Sequence, residues 1–232
     1  MRRAAFGIGF DIDHTLCIDN KLERVAFLHL LDRIANDGGR ALGTLSEESA
    51  TIDALLASQR GGACTIEEAV NRFVRERGAS AGSGYAEAFK SMALQMVDAF
   101  VVPAPDAKST IEELRQRDVP VAILSNGWNP LQIAKGRRAG FHGTVLASAT
   151  LGVQKPQAAA FAALASALGV EAKDCYYVGD DPGTDVAGAA NAGMHSVWLD
   201  NEAKIYPATV SPPAAAIGSL AELLSILPGA SV

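Results

Sequence analysis

Two aspartates two residues apart, Asp11 and Asp13, follow a short apolar run in the stretch Phe6-Gly-Ile-Gly-Phe-Asp-Ile-Asp-His-Thr-Leu16. The run predicts a buried strand, and side chains at positions i and i+2 of extended backbone point to the same side. Both carboxylates should therefore face one site. Because two close carboxylates repel each other and are costly to bury, a cation is expected between them. Mg²⁺ is the natural candidate, since it prefers oxygen ligands and retains water.

A second group of acids stands in Gly179-Asp-Asp-Pro-Gly-Thr-Asp185, at the end of another apolar run that predicts a strand. Asp180 follows that strand directly, so its carboxylate can join the first pair around one cation. Asp185 lies near the start of a predicted helix, where a carboxylate also suits the helix dipole, so capping alone could explain it. The role of Asp181 stays open.

Two further polar stretches close or follow predicted strands. The run Val119–Leu124 ends in Ser125-Asn126-Gly127, where a hydroxyl and exposed backbone amides could donate hydrogen bonds to an oxyanion. An ordinary Ser/Asn/Gly turn is the alternative. Lys155 stands in Gly152-Val-Gln-Lys-Pro156, just before a predicted helix, where its ammonium could neutralise phosphate charge. A solvated surface lysine is the alternative there.

Helical and strand-like segments alternate along the second half of the chain, which is typical of right-handed βαβ units around a parallel sheet. The predicted fold class is therefore α/β, with a Rossmann-like parallel sheet flanked by helices. Ligands of such sheets bind beyond the carboxyl ends of the strands, where the four polar stretches lie. The predicted helices are 107–117, 130–139, 156–168, 184–192 and 219–227, and the predicted strands are 119–125, 144–148, 174–179 and 196–199.

Residues 18–103 differ from the rest, because their apolar residues recur at helical spacing with helix-capping signals between them. Thr65, three residues before a glutamate, begins one such capping box. The stretch Val101–Asp106 indicates a stiff, proline-containing linker. We therefore predict an α/β core of residues 1–17 and 104–232, interrupted by an inserted all-helical domain of residues 18–103.

The four polar stretches, taken in order, resemble the signature of the haloacid dehalogenase superfamily. That signature is a DxDxT motif, a Ser or Thr, a Lys and an acidic GDxxxxD motif, which match residues 11–15, Ser125, Lys155 and residues 179–185. The helical segment stands where that superfamily inserts its first type of helical cap. The resemblance covers the whole predicted core and implies a hydrolase with a cap domain.

The resemblance also implies metal and acid–base roles. Asp11 matches the nucleophile that takes up the phosphoryl group, and its other oxygen binds Mg²⁺. Asp13 matches the general acid and base, and its backbone carbonyl matches a further metal ligand. Asp180 matches the acidic metal ligand.

Substrate binding and charge balance are implied for the remaining motif residues. Ser125, helped by the Asn126 amide, matches the phosphate-binding hydroxyl. Lys155 matches the lysine that balances the charge of the nucleophile and of the phosphoryl oxygens. Asp185 matches the second acid, which orients water or that lysine.

The balance of charge favours a metal independently of the resemblance. Four carboxylates are expected at this edge of the sheet, against the single ammonium of Lys155. A phosphate dianion would be repelled there. One Mg²⁺, together with backbone N–H groups at helix starts, would make the edge receptive. We therefore expect the activity to depend on the metal.

The chain of 232 residues carries a formal net charge of −6 and has a pI near 5.2, which disfavours a nucleic-acid partner. No stretch approaches the length of a membrane span. The three cysteines are widely spaced and form no disulfide or zinc pattern, so a reducing cytoplasm is expected. The oligomeric state stays open.

These observations favour a Mg²⁺-dependent phosphomonoesterase that acts on a small phosphorylated metabolite through a phosphoaspartyl intermediate. A 2-haloacid dehalogenase of the same superfamily is one alternative. Asp13 and the acidic stretch 180–185 argue against it, because that chemistry needs neither a metal nor a second acid. A sugar phosphomutase shares all four motifs and stays open, as does a non-catalytic phosphate-binding or interaction protein. No motif within residues 18–103 names a substrate.

Overall fold

Eight strands run through the residues that the computed structural model describes, which are 5–19, 21–80, 84–200 and 205–228. They are β1 (Gly7–Phe10), β2 (Cys17–Asp19), β3 (Val101–Pro103), β4 (Val121–Ser125), β5 (Thr144–Ala147), β6 (Cys175–Gly179), β7 (His195–Leu199) and β8 (Ala215–Ile217). Six of them form one parallel sheet in the order β5-β4-β1-β6-β7-β8. The other two, β2 and β3, pair in a separate antiparallel ribbon.

The inner strands are continuous apolar runs, as expected where both faces of a parallel sheet are covered. β1 is buried at all four positions. Its residue Phe10 is in register with Ile123 of β4 on one side and with Val178 of β6 on the other. The predicted α/β class with a parallel sheet is confirmed.

Helices connect the strands of this sheet from β1 to β7, follow β8 and fill the segment between β2 and β3. They are α1 (Leu22–Leu28), α2 (Leu30–Asn36), α3 (Leu45–Arg60), α4 (Ile66–Glu76), α5 (Tyr85–Gln95), α6 (Val97–Phe100), α7 (Ala107–Gln116), α8 (Leu131–Arg138), α9 (Ser148–Leu151), α10 (Ala158–Leu168), α11 (Ala187–Asn191) and α12 (Leu220–Ile226). A 3₁₀ turn covers Ala172–Asp174, and a π turn covers Pro182–Val186.

By its internal contacts the chain divides into two units, one of Met1–Asp19 with Val101–Val232 and the other of Asn20–Phe100. The first unit holds the sheet, and α1 to α6 lie in the second. The ribbon of β2 and β3 belongs to the first unit, where the sequence patterns predict a helical domain and a stiff linker instead. Three-residue strands are too short to show the alternation by which strands are recognised.

Strand β8 is a second difference from the sequence-based prediction. It lies at the end of the Ala- and Pro-rich stretch 207–216, whose composition predicts no strand, and it pairs with β7 through Ala215 and Val197. Alanine has little preference for strands, so the pairing is set by the neighbouring strand and not by local propensity.

Aromatic packing holds the helical unit together. The ring of Phe27 lies 5.2 Å from that of Phe73 and 4.6 Å from that of Phe89, measured between centroids. Thr44 and Thr65 begin α3 and α4 with complete capping boxes, of which the sequence analysis predicts the second. Among the described residues, no helix combines the length and the hydropathy that a bilayer crossing requires.

Candidate active site

The carboxyl ends of β1, β4 and β6 bring polar residues together at one edge of the sheet. Asp11 directly follows β1, Ser125 ends β4 and Asp180 directly follows β6. Because β1 lies between β4 and β6 in a parallel sheet, these three ends are neighbours. The backbone N–H of Asp11 donates to Val178 O at 2.9 Å and so continues the ladder into the site. The topology therefore places side chains that are distant in sequence at one site.

Lys155 is buried at this edge between two carboxylates. Its Nζ lies 2.8 Å from Asp11 Oδ1 and donates to Asp185 Oδ1 at 2.7 Å. Only 3% of the residue is exposed. A buried ammonium is tolerated only when it is paired and hydrogen-bonded, which these contacts achieve. The alternative of a solvated surface lysine is wrong.

Tyr177 supplies another contact to Lys155, which the sequence analysis does not predict. Its hydroxyl accepts a hydrogen bond from Lys155 Nζ at 3.0 Å and donates one to Leu124 O at 2.7 Å. Gly9, its register partner on β1, leaves room for the ring, because a Cβ there would lie 2.8 Å from Tyr177 Cδ2. The available signal is a tyrosine within an apolar strand, since a buried hydroxyl usually needs a partner.

The side chain of Asn126 ties the loop after β4 to the backbone of Lys155. Asn126 Nδ2 donates to Lys155 O at 2.8 Å, and Lys155 N donates to Asn126 Oδ1 at 2.9 Å. Ser125, which is 2% exposed, stands directly before it. These two reciprocal hydrogen bonds hold the main chain at Lys155 in place. The stretch Ser125-Asn126-Gly127 is therefore more than an ordinary turn.

Burial and neighbouring charges shift the pKa values at this edge. The pKa of Asp11 rises from an ordinary 3.8 to about 7, chiefly because the group is buried; Lys155 opposes the rise, and Asp185 and Asp13 add to it. Burial also raises the pKa of Asp185, against the pull of Lys155. Burial lowers the pKa of Lys155, but the two carboxylates outweigh it and hold that pKa well above its usual value. The raised pKa values of Asp11 and Asp185 indicate that one lysine does not supply enough positive charge to stabilise both ionised carboxylates.

Three acids form a group that could hold a cation. Carboxylate oxygens of Asp11, Asp180 and Asp185 lie within 4.8 Å of one another. Asp185 already accepts hydrogen bonds at both oxygens, from Lys155 Nζ and from Asp181 N. Asp11 Oδ1 is buried and, beyond its ion pair with Lys155, receives no hydrogen bond from the described residues. A set of carboxylate oxygens with an under-satisfied buried member suits a hard divalent cation, although both oxygens of Asp185 are already engaged in hydrogen bonds.

The acidic residues after β6 make different contacts. Asp181, whose role the sequence leaves open, caps the turn, since its Oδ1 accepts from Gly183 N at 2.8 Å and from Thr184 N at 2.6 Å. Asp185 is 1% exposed and faces inward, so capping alone does not explain it. Gly179 leaves space for it, because a Cβ there would lie 2.4 Å from Asp185 Cγ.

Asp13 pairs with a second buried lysine, Lys135, which the sequence analysis does not identify. Lys135 Nζ donates to Asp13 Oδ1 at 2.7 Å and to Asp19 Oδ2 at 2.6 Å. Lys135 is fully buried, whereas the side chain of Asp13 is 26% exposed. The available signal is that Lys135 follows the buried Leu131 by four residues and therefore lies on the inner face of α8.

This pairing corrects the charge count made from the sequence. Four carboxylates against one ammonium become five against two once Asp19 and Lys135 are included. The excess is three negative charges in both counts, since four minus one equals five minus two. The expectation that a cation is needed at this edge is therefore unchanged.

Comparison with known proteins gives both a family and a fold. The sequence model described as haloacid dehalogenase-like hydrolase matches residues 7–193. The ribulose-1,5-bisphosphate 5-phosphatase of Halopiger xanaduensis is 37% identical over 99 residues, which are 41% of this chain and 41% of that one. The phosphoserine phosphatase of Thermus thermophilus is 35% identical over 111 residues, or 47% of this chain and 45% of that one. The chain thus spans less than half the length of these two relatives that it matches.

Two solved structures share the fold over nearly the whole chain. A 2-haloacid dehalogenase from Pseudomonas syringae has a TM-score of 0.72 at 23% identity and covers 93% of this chain and 95% of its own. A HAD phosphatase from Thermococcus onnurineus also has a TM-score of 0.72, at 21% identity, with 98% of this chain and 100% of its own covered. The fold is shared by both kinds of enzyme, and the sequence match over residues 7–193 shows that the chain belongs to the haloacid dehalogenase-like hydrolase family.

Proposed function

We propose that the chain is a Mg²⁺-dependent phosphomonoesterase that acts on a small phosphorylated metabolite through a phosphoaspartyl intermediate. The observation that carries the proposal is the fixed pairing of Asp11 with Lys155, whose Nζ lies 2.8 Å from Asp11 Oδ1 and is also bonded to Asp185 and Tyr177. A nucleophile beside a counter-charge held in place suits attack on an anionic phosphoryl group. The names of the two relatives, both phosphatases of small phosphorylated compounds, support the same class.

In the first step, a carboxylate oxygen of Asp11 forms a bond to phosphorus, and the bond from phosphorus to the ester oxygen breaks. Asp13 gives its proton to the departing alkoxide. The Lys155 ammonium balances the charge on the nucleophile and the phosphoryl oxygens. The Ser125 hydroxyl and the backbone N–H of Asn126 donate hydrogen bonds to those oxygens. The products are the free alcohol and phosphorylated Asp11.

In the second step, Asp13 takes a proton from the water that attacks phosphorus. The bond between phosphorus and the Asp11 oxygen breaks, which releases inorganic phosphate and restores the carboxylate. One residue thus acts first as acid and then as base. Its pairing with Lys135 gives the Asp13 carboxyl a defined position in both steps.

The Mg²⁺ would be held by Asp11, Asp180 and the backbone carbonyl of Asp13. The carboxylate of Asp185 belongs to the same cluster. When bound, the metal offsets the excess negative charge at this edge and so lets a phosphate dianion approach. Asp185 orients Lys155 through the hydrogen bond to Nζ at 2.7 Å. The fit rests on the three carboxylates whose oxygens lie within 4.8 Å of one another.

A 2-haloacid dehalogenase is the second candidate, since one of the structural neighbours is such an enzyme. Two features of this chain argue for the phosphatase. Asp13 is present and paired, and the stretch after β6 contributes acids to the same edge as Asp11. A dehalogenase that attacks carbon needs neither a metal nor a second acid. A phosphomutase or a non-catalytic phosphate-binding protein could carry the same residues. Only measurements of turnover distinguish them from the phosphatase.

We further propose that the helical unit, Asn20–Phe100, acts as a cap that selects the substrate, and that the protein works in the cytoplasm on a free metabolite. The inserted position of this unit within the chain supports the first point. The acidic net charge of −6 argues against a nucleic-acid partner.

Phosphate release from a panel of phosphorylated metabolites and an aryl phosphate tests the proposal. Turnover should require Mg²⁺, stop in excess chelator and be absent from the Asp11→Asn variant with an unchanged circular dichroism spectrum. Chloride release from 2-chloropropionate in place of phosphate release would favour the dehalogenase. Isomerised sugar phosphate without net phosphate release would favour the mutase. Full activity in excess chelator would refute the metal requirement.

A further inference from the structure

A fully buried lysine outside the four motifs contacts the proposed acid and base of the reaction. Lys135 lies on α8, and its Nζ is 2.7 Å from Asp13 Oδ1 and 2.6 Å from Asp19 Oδ2. Burying an ammonium costs several kcal/mol unless its charge is paired and its N–H groups are bonded. Two carboxylates meet that requirement, so the three side chains form one unit that is costly to rearrange.

The main chain around Asp13 and Lys135 is held by hydrogen bonds as well. Cys17 Sγ donates to Lys135 O at 3.4 Å, which ties α8 to the start of β2. Cys17 also forms a bridge with Asp13, and the backbone N–H of His14 donates to Cys17 O at 2.7 Å. The segment that carries Asp13 and the helix that carries Lys135 are therefore connected through backbone and side-chain contacts together.

We propose that Lys135 is a positioning residue for Asp13 and that Asp19 anchors the ammonium in place. The inference rests on the proposed function, in which Asp13 transfers a proton in both steps. Because Oδ1 of Asp13 accepts a hydrogen bond from the ammonium, the proton that Asp13 transfers is carried on Oδ2. Lys135 thus fixes the plane of the carboxyl group and determines which oxygen faces the leaving group.

Position matters because proton transfer needs hydrogen-bond distance to the reacting oxygen, and a displacement of about 1 Å can cost about a hundredfold in rate. The side chain of Asp13 is 26% exposed, so its carboxyl group can turn toward solvent once the hydrogen bond from Lys135 is removed. A variant without Lys135 should therefore keep the nucleophile, the phosphate-binding groups and the metal ligands but lose an aligned acid and base.

The test uses the full-length chain and a charge-matched variant, Asp19→Asn with Lys135→Met. This pair of changes removes one acid and one base, so the net charge around Asp13 is the same as in the parent, and Asp13 itself is kept. We expect kcat on an alkyl phosphate to fall about 10- to 100-fold and KM to change less than about threefold. Lys173→Met, at a lysine whose side chain is 73% exposed, is the control and should match the parent.

An aryl phosphate separates positioning from a general structural defect. Its leaving group needs little protonation, so the first step should be nearly unaffected while the second still lacks an aligned base. Phosphorylated Asp11 should then accumulate and be seen as an added phosphoryl group by intact-mass measurement after rapid quenching. A merely structural defect would lower turnover on alkyl and aryl phosphates by the same factor, without such accumulation, and would overturn the inference.

A thermodynamic cycle with Asp13→Asn gives an independent criterion. If Lys135 acts only through Asp13, adding the two other changes to Asp13→Asn should cause no further loss of kcat. Multiplied losses would overturn the inference. Asp19→Asn alone keeps an acceptor for Lys135 and should fold even where the charge-matched variant does not. Asp19→Asn should lower turnover of alkyl phosphates several-fold, and a parental rate would contradict the proposed anchoring role of Asp19.

The same measurements distinguish this inference from the proposed function. Parent turnover and its loss in Asp13→Asn test the function. If both behave as proposed but the charge-matched variant keeps the parental rate on alkyl phosphates, Lys135 has no positioning role. If the parent releases no phosphate from any ester, the function fails and the inference fails with it.

Discussion

The ionised carboxylate of Asp11 is less stable inside the folded chain than in water. Burial is the main cause, and Asp185 and Asp13 add repulsion that Lys155 only partly offsets, so the pKa is about 7. A carboxyl whose pKa is higher in the folded chain than in the unfolded chain binds more protons when folded. Its stabilising contribution is therefore present at low pH and is lost as the pH rises from about 4 to about 7.

We expect Asp11→Asn to weaken this pH dependence in the metal-free protein. Asparagine does not ionise, so the variant should lose less thermal stability than the parent between about pH 4 and about pH 7. One pKa unit corresponds to about 1.4 kcal/mol, so the difference is at most about 4 kcal/mol. Thermal unfolding in excess chelator, followed by circular dichroism at several pH values, measures it. Parallel curves for the two proteins would contradict the raised pKa of Asp11.

Asp13, the proposed acid and base, is the residue by which the phosphatase proposal differs most from the dehalogenase alternative. Positioned acid–base catalysis is typically worth about 10²–10⁴-fold, so Asp13→Asn should lose about that factor on alkyl phosphates. The loss in the first step should be smaller on an aryl phosphate, and phosphorylated Asp11 should accumulate because the second step lacks its base. Initial rates on both substrates and rapid-quench mass measurements test this. Hydrolysis of alkyl phosphates at the parental rate would show that the acid and base lie elsewhere.

At the scale of elements, the end of β6 controls the position of the second acid. Gly179 is the last residue of the strand, and a Cβ there would lie 2.4 Å from the Cγ of the buried Asp185. Asp185 in turn bonds Lys155 Nζ. A glycine at this position is therefore required by packing, since any side chain would displace the carboxylate.

We expect Gly179→Ala to impair both stability and turnover. Overpacking at a buried site costs about 1–3 kcal/mol, and the displaced Asp185 should leave Lys155 misaligned. Turnover should fall at least about tenfold, since small misplacements are costly in catalysis. Gly218→Ala is the matched control, because its Cβ would meet nothing closer than Glu222 Oε1 at 3.5 Å. Equal melting temperatures and equal kcat for the two variants would refute the packing argument.

The alternation of apolar segments predicts the parallel sheet because β1, β4 and β6 are buried on both faces and therefore continuously apolar. The same reasoning predicts that Asp11, Ser125 and Asp180 meet, since they close or follow neighbouring strands. This reasoning does not predict the ribbon of β2 and β3, because strands of three residues show no periodicity. Its existence depends on pairing between segments that the helical unit separates in the sequence.

The partners of the acids could not be predicted for a different reason. Lys135 is 122 residues from Asp13, and Tyr177 is 22 residues from Lys155. The local pattern places Lys135 four residues after the buried Leu131 and Tyr177 within an apolar strand, but it does not identify the partner of either residue. A lysine or tyrosine in an apolar face signals only that a partner must exist. Which residue that is depends on how distant segments pack, and this follows from the three-dimensional fold alone.

At the scale of the whole molecule, the chain leaves and re-enters the first unit at paired residues. Asp19 at the end of β2 is in register with Val101 at the start of β3. All six strands of the parallel sheet lie outside Asn20–Phe100, which contributes helices in its described residues. The helical unit can therefore be removed without cutting the sheet.

We expect a chain in which a two-residue Asn-Gly turn replaces 20–100 to fold, since such turns suit antiparallel pairs. It should hydrolyse small phosphates more slowly, because the proposed cap would exclude water and so strengthen electrostatic interactions. It should also discriminate less among them. The ratio of kcat/KM values over a panel of phosphate esters, compared with the full-length chain, measures the selectivity. An unfolded product, or unchanged selectivity, would contradict the division of labour between the two units.

The pairing of β2 with β3 also bears on how such a chain can diverge. Closing a loop costs entropy that grows only slowly with its length, and here the hydrogen bonds of the ribbon hold both ends together whatever lies between them. A segment of different length or fold could be recombined at Asp19 and Val101 without moving Asp11 or Lys155. The residues proposed to carry the chemistry and the segment proposed to select the substrate thus lie on separate stretches of the chain, so each could change without the other.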